Sequence, residues 1–327
     1  MTAPRLDVLA IGNAIVDVIA EADDVLVAEA RLVKGSMRLV EADEALALHG
    51  RMTGAREISG GSAANTAAGI AAMGGRAGFI GLLGRDRLGA LFWSDLEAAG
   101  VEFVSEPLTD TPTARCLIMV TDDAQRSMCT FPGAAHLLSV AQIDDAQVAD
   151  AAILYLEGYL WDSPTARAAM EHAIGVARAA GRKVAVTPSD IACIQRRGES
   201  FRALIGEGRV DMLFLNEMEL AALAQTEDLA AAAGKIGAQV GLLVVTRGAG
   251  GASAWRGGEM VWAPAEPVAR LVDTTGAGDL FAAGFLFGHS RGEPLDRCLR
   301  LGAIAAAEIV SHLGARPEAD LKALIAQ

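Results

Sequence analysis

The run Val210-Asp211-Met212-Leu213-Phe214-Leu215-Asn216-Glu217, VDMLFLNE, decides the reading of the fold. Its apolar residues are continuous rather than alternating, which suits a strand covered on both faces, and it stops on an amide and an acid. The same layout recurs in LDVLAIG (6–12), AGFIGLLG (77–84), AAILYLEG (151–158), KVAVTPSD (183–190) and GLLVVTRG (241–248). Helical patterns lie between several of these runs, as from Ala166 to Ala180 and from Glu217 to Ala224. Strands alternating with helices predict an α/β fold: a mostly parallel central sheet with helices on both sides. The late stretch LDRCLRLGAIAAAEIV is largely apolar and is expected to pack on that sheet.

Two segments break the rhythm. Residues 33–40 (VKGSMRLV) and 114–131 (ARCLIMVTDDAQRSMCTF) look extended but have no long helix between them and a partner strand. The second reads as a hairpin turning at TDDAQ. With strand residues near 14–20, these segments predict a small β-structure outside the main sheet. It is either a cover over a site or an edge extension, and pattern alone leaves both open.

Composition narrows the chemistry. The 327 residues are 52% hydrophobic, ample for a buried core, and carry a net charge of −13. An acidic surface of this size argues against nucleic acid as a partner. The four cysteines, Cys116, Cys129, Cys193 and Cys298, are far apart, and the five histidines show no metal spacing. Reduced structural thiols are therefore expected rather than a zinc site. The opening MTAPRLDVLAIG runs straight into a strand-like segment, with no signal peptide and no membrane-crossing run. The expectation is a cytoplasmic globular protein.

Ligands of open α/β sheets bind outside the carboxyl ends of the strands. The residues after each apolar run are therefore the candidates. They are Gly12, Asn13 and then Asp17; Glu157 and Gly158; Thr187 to Asp190; Asn216, Glu217 and Glu219; and Thr246, Arg247 and Gly248. Strand ends are where the surface begins, which accounts for polarity in general. It does not account for acids and amides on nearly every strand.

Gly60-Gly61-Ser62-Ala63-Ala64-Asn65-Thr66-Ala67 opens a helix that is apolar almost all round and so is expected to be buried. Asn65 stands among alanines. A buried amide needs partners, either a neighbouring loop or a ligand hydroxyl. The glycines would let a ligand touch backbone. The chain has neither GxxxxGK[ST] nor GxGxxG, so a Walker loop and a dinucleotide fingerprint are both missing.

Asp273-Thr274-Thr275-Gly276-Ala277-Gly278-Asp279 falls where another helix should begin. Asp273, Thr274, Thr275 and Asp279 all qualify as caps, yet one cap suffices. The amides of Gly276, Ala277 and Gly278 can converge on an anion at the positive end of the helix. Asp279 would repel such an anion unless it does chemistry. A base that takes a proton from an attacking hydroxyl would justify it.

GGSAANTA in the first quarter, NEME at 216–219, VTRGAGG at 245–251 and DTTGAGD near the end resemble, in content and order, the ribokinase-like (PfkB) carbohydrate and nucleoside kinases. The resemblance covers essentially the whole chain. It implies a ribokinase-like three-layer sandwich, one α/β domain over 1–327, with a discontinuous β-lid from about 14–60 and 110–131. It implies Asp279 as catalytic base, Gly276, Ala277 and Gly278 as anion hole, and Asn13, Asp17, Gly60, Gly61 and Asn65 as acceptor-binding residues. Asn216, Thr246, Gly248 and Gly251 match nucleotide-site positions, and Glu219 a residue acting on Mg2+ through water. Asp273 and the turn around Gly314 resemble segments that hold a monovalent cation, K+, in many members.

ATP is the implied co-substrate, and the protein is expected to be a monomer or homodimer. GNAIVD (12–17), VDMLFLNEMEL and AAILYLEGYLWDSP look most like adenosine kinases. The expected reaction is ATP-dependent phosphoryl transfer to the 5′-hydroxyl of adenosine or a similar nucleoside. A ribose, fructose or ketodeoxygluconate kinase is the alternative, and a non-catalytic sensor the third reading, against which Asp279 speaks. Animal-type adenosine kinases sandwich adenine between aromatic rings. Here Leu160 and Ala192 or Cys193 fall at those positions, with Tyr159, Trp161 and Phe131 as substitutes or as ordinary packing. Arg126, on the hairpin, is expected to point to solvent.

Overall fold

The computed structural model describes residues 3–103, 110–123 and 125–326. In chain order the first elements are β1 (Leu6–Ile11), β2 (Ile15–Glu21), α1 (Asp24–Glu29), β3 (Met37–Leu39), α2 (Ala42–His49), β4 (Arg56–Ser59) and α3 (Ser62–Ala72). Then come β5 (Ala77–Ile80), α4 (Arg87–Ala98), β6 (Glu102–Phe103), β7 (Ala114–Val120), β8 (Arg126–Phe131), α5 (Asp145–Ala149) and β9 (Ala151–Glu157). α6 (Pro164–Ala179), β10 (Lys183–Thr187), α7 (Ile191–Gly206), β11 (Met212–Asn216), α8 (Glu217–Ala224), α9 (Leu229–Gly237) and β12 (Leu242–Thr246) follow. The chain closes with β13 (Ala252–Arg256), β14 (Glu259–Ala263), α10 (Ala277–Ser290), α11 (Leu295–Ile309) and α12 (Leu321–Ile325).

The main sheet has nine strands in the order β14-β13-β12-β11-β10-β9-β1-β5-β6. It is parallel from β12 through β6 and antiparallel at β12-β13-β14. The continuous apolar runs have the burial they predict, because each strand feeds two cores. In β1, Val8 and Ala10 join the core under α3, α10 and α11, while Leu6, Leu9 and Ile11 join the core under α6 and α7. This is the three-layer arrangement expected from the sequence. AGFIGLLG is strand only as far as Ile80. The late apolar helix, α11, packs chiefly on α10 and reaches the sheet at β13 and β14.

A second sheet, β3-β8-β7-β2-β4, stands apart from the first. It holds the segments that broke the α/β rhythm. β7 and β8 pair antiparallel, and Thr121 N donates to Gln125 O across their turn. Ala124 of that turn lies outside the described residues. β2 leaves β1 after only three residues, so the end of the central strand is tied directly to this second sheet.

β1 lies between β5 and β9, and the chain crosses first to one side and then to the other. A crevice opens at such a switch point outside the strand ends. α3 fits close behind it because its residues are small: Ala63 to Ile70 are all buried, against β1 and β5 on one side and α10 on the other.

Candidate active site

α10 starts in an unusual way. Its N-cap is Gly276, at φ 78°, and no side chain caps the first turn. The four side chains qualified by the sequence as caps do not cap it, because each is absent from the N-cap position or committed elsewhere. A Cβ on Gly276 would come within 2.8 Å of the Ala315 Cβ, so only glycine suits both the left-handed φ and the contact. The first-turn amides therefore lack a side-chain acceptor; Ala277 N donates to Thr274 O at 3.2 Å, while Gly278 N is left for an anion.

Asp279, in that first turn, points across to α3. Its Oδ1 accepts from Ser62 Oγ at 2.6 Å and its Oδ2 from Asn65 Nδ2 at 2.9 Å. Burial pushes its carboxyl above the ordinary aspartate range, against the pull of Ser62, Asn65 and the Arg316 charge. Asn65 is itself buried, and its Oδ1 has no hydrogen-bond partner. A buried carbonyl oxygen beside a carboxylate suits a hydroxyl group that donates to it. Ser62 belongs to the glycine-led motif but was not singled out from the sequence.

Around this pair the crevice is built from strand ends. Glu157, fully buried at the end of β9, accepts from Asn13 N at 2.8 Å, Asn13 Nδ2 at 2.7 Å and Ala63 N at 2.8 Å. It thereby joins β1, β9 and the start of α3. Burial pushes its carboxyl up to about 7, with the Asp279 charge adding to the rise and the three N–H partners opposing it. Gly61 caps α3 at φ 88°, where a Cβ would stand 2.2 Å from Asn13 O. Asp17, on β2, lies so close to Gly60 that a Cβ there would meet its Oδ2 at 2.7 Å. Burial raises Asp17 to about 7; Arg126 and Arg316 pull it down, and the charges of Asp279 and Asp273 push it up.

On the other flank a pocket is lined by Ser62, Gly278 and Asp279 on one wall and Asn216, Glu219 and Thr246 on the other. Glu219 and Asn216 form a closed capping box. Glu219 Oε2 accepts from Asn216 N at 2.9 Å, Oε1 accepts from Asn216 Nδ2 at 2.7 Å, and Glu219 N donates to Asn216 Oδ1 at 2.9 Å. Burial raises the Glu219 carboxyl, opposed by the Asn216 amide. Gly248 and Gly251 stand beyond Thr246 in the turn, where Gly251 N donates to Gly248 O and Arg247 N to Gly251 O.

Asp273 is buried and heavily bonded. Its Oδ1 accepts from Thr275 N and Oγ1, its Oδ2 from Gly314 N, and Arg126 Nη1 lies 2.7 Å from Oδ1. Burial acts to raise its carboxyl, but the Thr275 bonds and the Arg126 guanidinium hold it below its usual value. Arg126 therefore does not point to solvent: it joins the second sheet to the turn before α10. A monovalent cation at Asp273 would share this carboxylate with that guanidinium.

The oxygens of Asn216 and Glu219 suit a hard cation such as Mg2+. Among the described residues no three His, Cys, Asp or Glu side chains cluster as a metal cage. An ion there would need waters and nucleotide phosphates for most of its shell, which fits one nearby carboxylate.

Of the aromatic candidates, Trp161 is 1% exposed and packs on Phe201 at 5.4 Å, and Phe131 is buried in the core. Both are ordinary packing. Tyr159 is half-buried, and burial, with the charges of Asp190 and Asp279 adding to it, raises its hydroxyl well above the usual tyrosine value. Leu160 and Cys193 are fully buried. No helix among the described residues is long and apolar enough to cross a membrane.

Residues 6–321 match the pfkB family of carbohydrate kinases. The chain is 45% identical to a structure of adenosine kinase from Sinorhizobium meliloti, with TM-score 0.92 and 98% of each chain covered. It is 41% identical to a probable sugar kinase from Rhizobium etli CFN 42, with TM-score 0.92, covering 98% of this chain and 97% of that one. It is 31% identical to the ATP-dependent ribose-1-phosphate kinase of Halopiger xanaduensis, over 86% of this chain and 90% of that protein. The chain belongs to the pfkB family of carbohydrate kinases and is a phosphotransferase acting on a sugar or a nucleoside.

Proposed function

We propose that the protein transfers the γ-phosphoryl group of ATP to the 5′-hydroxyl of adenosine or a closely similar nucleoside. The observation that carries this reading is the Asp279 carboxylate held by Ser62 and Asn65 beside the uncapped start of α10, with Asn65 Oδ1 left open. The acceptor hydroxyl would donate its proton to Asp279 as its oxygen attacks the γ-phosphorus, and the bond to the β–γ bridging oxygen would break, releasing ADP. The amides of Gly276, Ala277 and Gly278 would take up charge on the transferred group, as phosphoryl transfer depends on positioning and charge neutralisation.

Asp17, Asn13, Gly60, Gly61 and Asn65 would hold the hydroxyls of the acceptor. Asn216, Thr246, Gly248 and Gly251 would line the nucleotide side. Mg2+ supplies charge neutralisation on the phosphates, and Glu219 would hold it through water. K+ at Asp273 remains part of the proposal. The second sheet, about 14–60 and 110–131, would close as a lid and exclude water from the phosphates. A cytoplasmic location and a purine-salvage role fit this reading.

The likeness to the Sinorhizobium meliloti adenosine kinase favours a nucleoside. A sugar acceptor is the second reading, and Leu160 with Ala192 or Cys193, in place of an aromatic pair, favours it. A panel of nucleosides and sugars with ATP and Mg2+ separates them. Adenosine should be turned over with a kcat/KM at least tenfold above any free sugar. Ribose or a hexose turned over faster than every nucleoside would overturn the nucleoside assignment.

A further inference from the structure

The turn Gly314–Arg316 touches both halves of the site. Gly314 N donates to Asp273 at 3.3 Å, and Ala315 packs against Gly276. Arg316 reaches the other way, into the junction of β4 and α3. Its Nη1 donates to Ala64 O at 2.8 Å, its Nε to Ser59 O at 3.3 Å and its Nη2 to Gly60 O at 3.4 Å. All three acceptors are neutral carbonyls, and among the described residues no carboxylate pairs with this guanidinium. A guanidinium keeps its proton at any working pH, and the carboxylate charges that reach it are those of Asp95 on α4, Asp279 and Asp17.

The groups around Asp279 are otherwise neutral or acidic. Asp17 faces it from β2, Tyr155 and Glu157 from β9, Tyr159 from the following turn, and Ser62 and Asn65 from α3. Arg316 is the cation whose charge reaches Asp279, and it acts on Asp17 together with Arg126. Two carboxylates in one shielded crevice repel each other, and without a counter-charge one of them would bind a proton.

We propose that Arg316 is a positioning residue that fixes the Gly60–Gly61 turn and supplies a positive charge that favours ionisation of Asp17 and Asp279. The role in turnover rests on the kinase reading above; the charge-balancing role does not. Burial lowers the Arg316 pKa to about 10, still far enough above neutrality for it to remain a cation.

The test is a carbon-13 titration of the aspartate carboxyls, with the Asp279 signal identified by its loss in Asp279→Asn. In Arg316→Met the Asp279 carboxyl should titrate higher by roughly one pH unit, with Arg316→Lys between this variant and the parent. In turnover the acid limb of kcat should move the same way, and KM for the acceptor should rise several-fold in both variants as the turn loosens. A folded Arg316→Met whose Asp279 titration overlays the parent's overturns the proposal, even if kcat falls. Should Arg316→Met fail to fold, Arg316→Lys and Arg316→Gln decide: a higher titration in Gln than in Lys supports it, and equal titrations overturn it. Failure of the kinase reading would look different, as absence of turnover by the parent on every acceptor.

Discussion

Helices α8 and α10 both begin beside the same pocket, and both carry a carboxylate at the third helical residue: Glu219 in one, Asp279 in the other. At α8 the carboxylate turns back on its own N-cap, Asn216, and the box is closed by three hydrogen bonds. At α10 the N-cap is a glycine with nothing to offer, and the carboxylate reaches out to a different helix. A helix start that satisfies itself is structure. One that has no side-chain cap and sends its acid elsewhere would, on the proposed kinase reading, keep both for a ligand.

Removing the outward-facing acid should break this contrast most. Asp279→Asn should lower kcat by roughly 10²–10⁴-fold, the range for loss of a general base. Binding of nucleotide and acceptor, read by calorimetry, should stay close to the parent's. Stability should move the opposite way. The folded-state pKa of Asp279 is raised, so between its unfolded and folded values the folded state holds the extra proton, and stability falls as pH rises through that window. At neutral pH Asp279→Asn should therefore melt at the same temperature as the parent or higher. Unchanged turnover would remove Asp279 from the mechanism.

The next largest effect is expected at Gly276. Gly276→Ala puts a side chain at φ 78° and against Ala315, with a stability cost of roughly 1–3 kcal/mol by thermal melt. Because the amides of the first turn would shift, kcat should fall by more than the stability loss explains, up to the roughly 10²-fold or more seen when one anion-hole donor is lost. A melting change with kcat intact would mean that the open amides carry no charge in the reaction.

The pH profile sharpens the comparison without a mutation. Asp279 must be ionised to accept a proton, so kcat should decline as pH falls, with a midpoint above the free aspartate value of about 3.9. The residual activity of Asp279→Asn should lack that limb. A midpoint at or below about 3.9 would contradict the burial argument.

The smallest effect belongs to the closed box. Asn216→Ala removes the cap of α8 and should cost about 1 kcal/mol of stability, a fall of a few degrees in melting temperature. It also frees Glu219 from the Nδ2 donor while the backbone N–H of residue 216 stays, so a modest loss of turnover at limiting Mg2+ should be relieved by raising Mg2+. A loss as large as that of Asp279→Asn would mean the two helix starts are not so different.

Much of this was legible beforehand because it depends on local pattern. VDMLFLNE and its companions are continuous apolar runs, and a strand covered on both faces has no other way to be written. The hairpin at 114–131 announced itself by lacking a helix. Asn216 and Glu219 were legible as strand-end candidates, and the capping box they close emerged only in the structure. Other features were not legible because they join distant segments. Nothing in the sequence near Arg126 says that it meets Asp273, and nothing near Arg316 says that it meets Gly60 and Ala64. Trp161 stays open between a base-stacking ring and ordinary packing until its contact with Phe201 is known.

The sequence by itself determined the layers of the sheet, the small-residue helix that fits behind it, and the acid and glycines of DTTGAGD. Hydrophobic periodicity and backbone permissiveness are properties of neighbours in the chain, and neighbours suffice to specify them. Only the tertiary structure decided that none of the four eligible side chains caps α10, that Asp279 leans on Ser62 and Asn65, and that Glu157 ties three elements together. A buried carboxylate is settled by whichever donors and charges the fold brings within a few ångströms, and those came from residues more than 90 positions away.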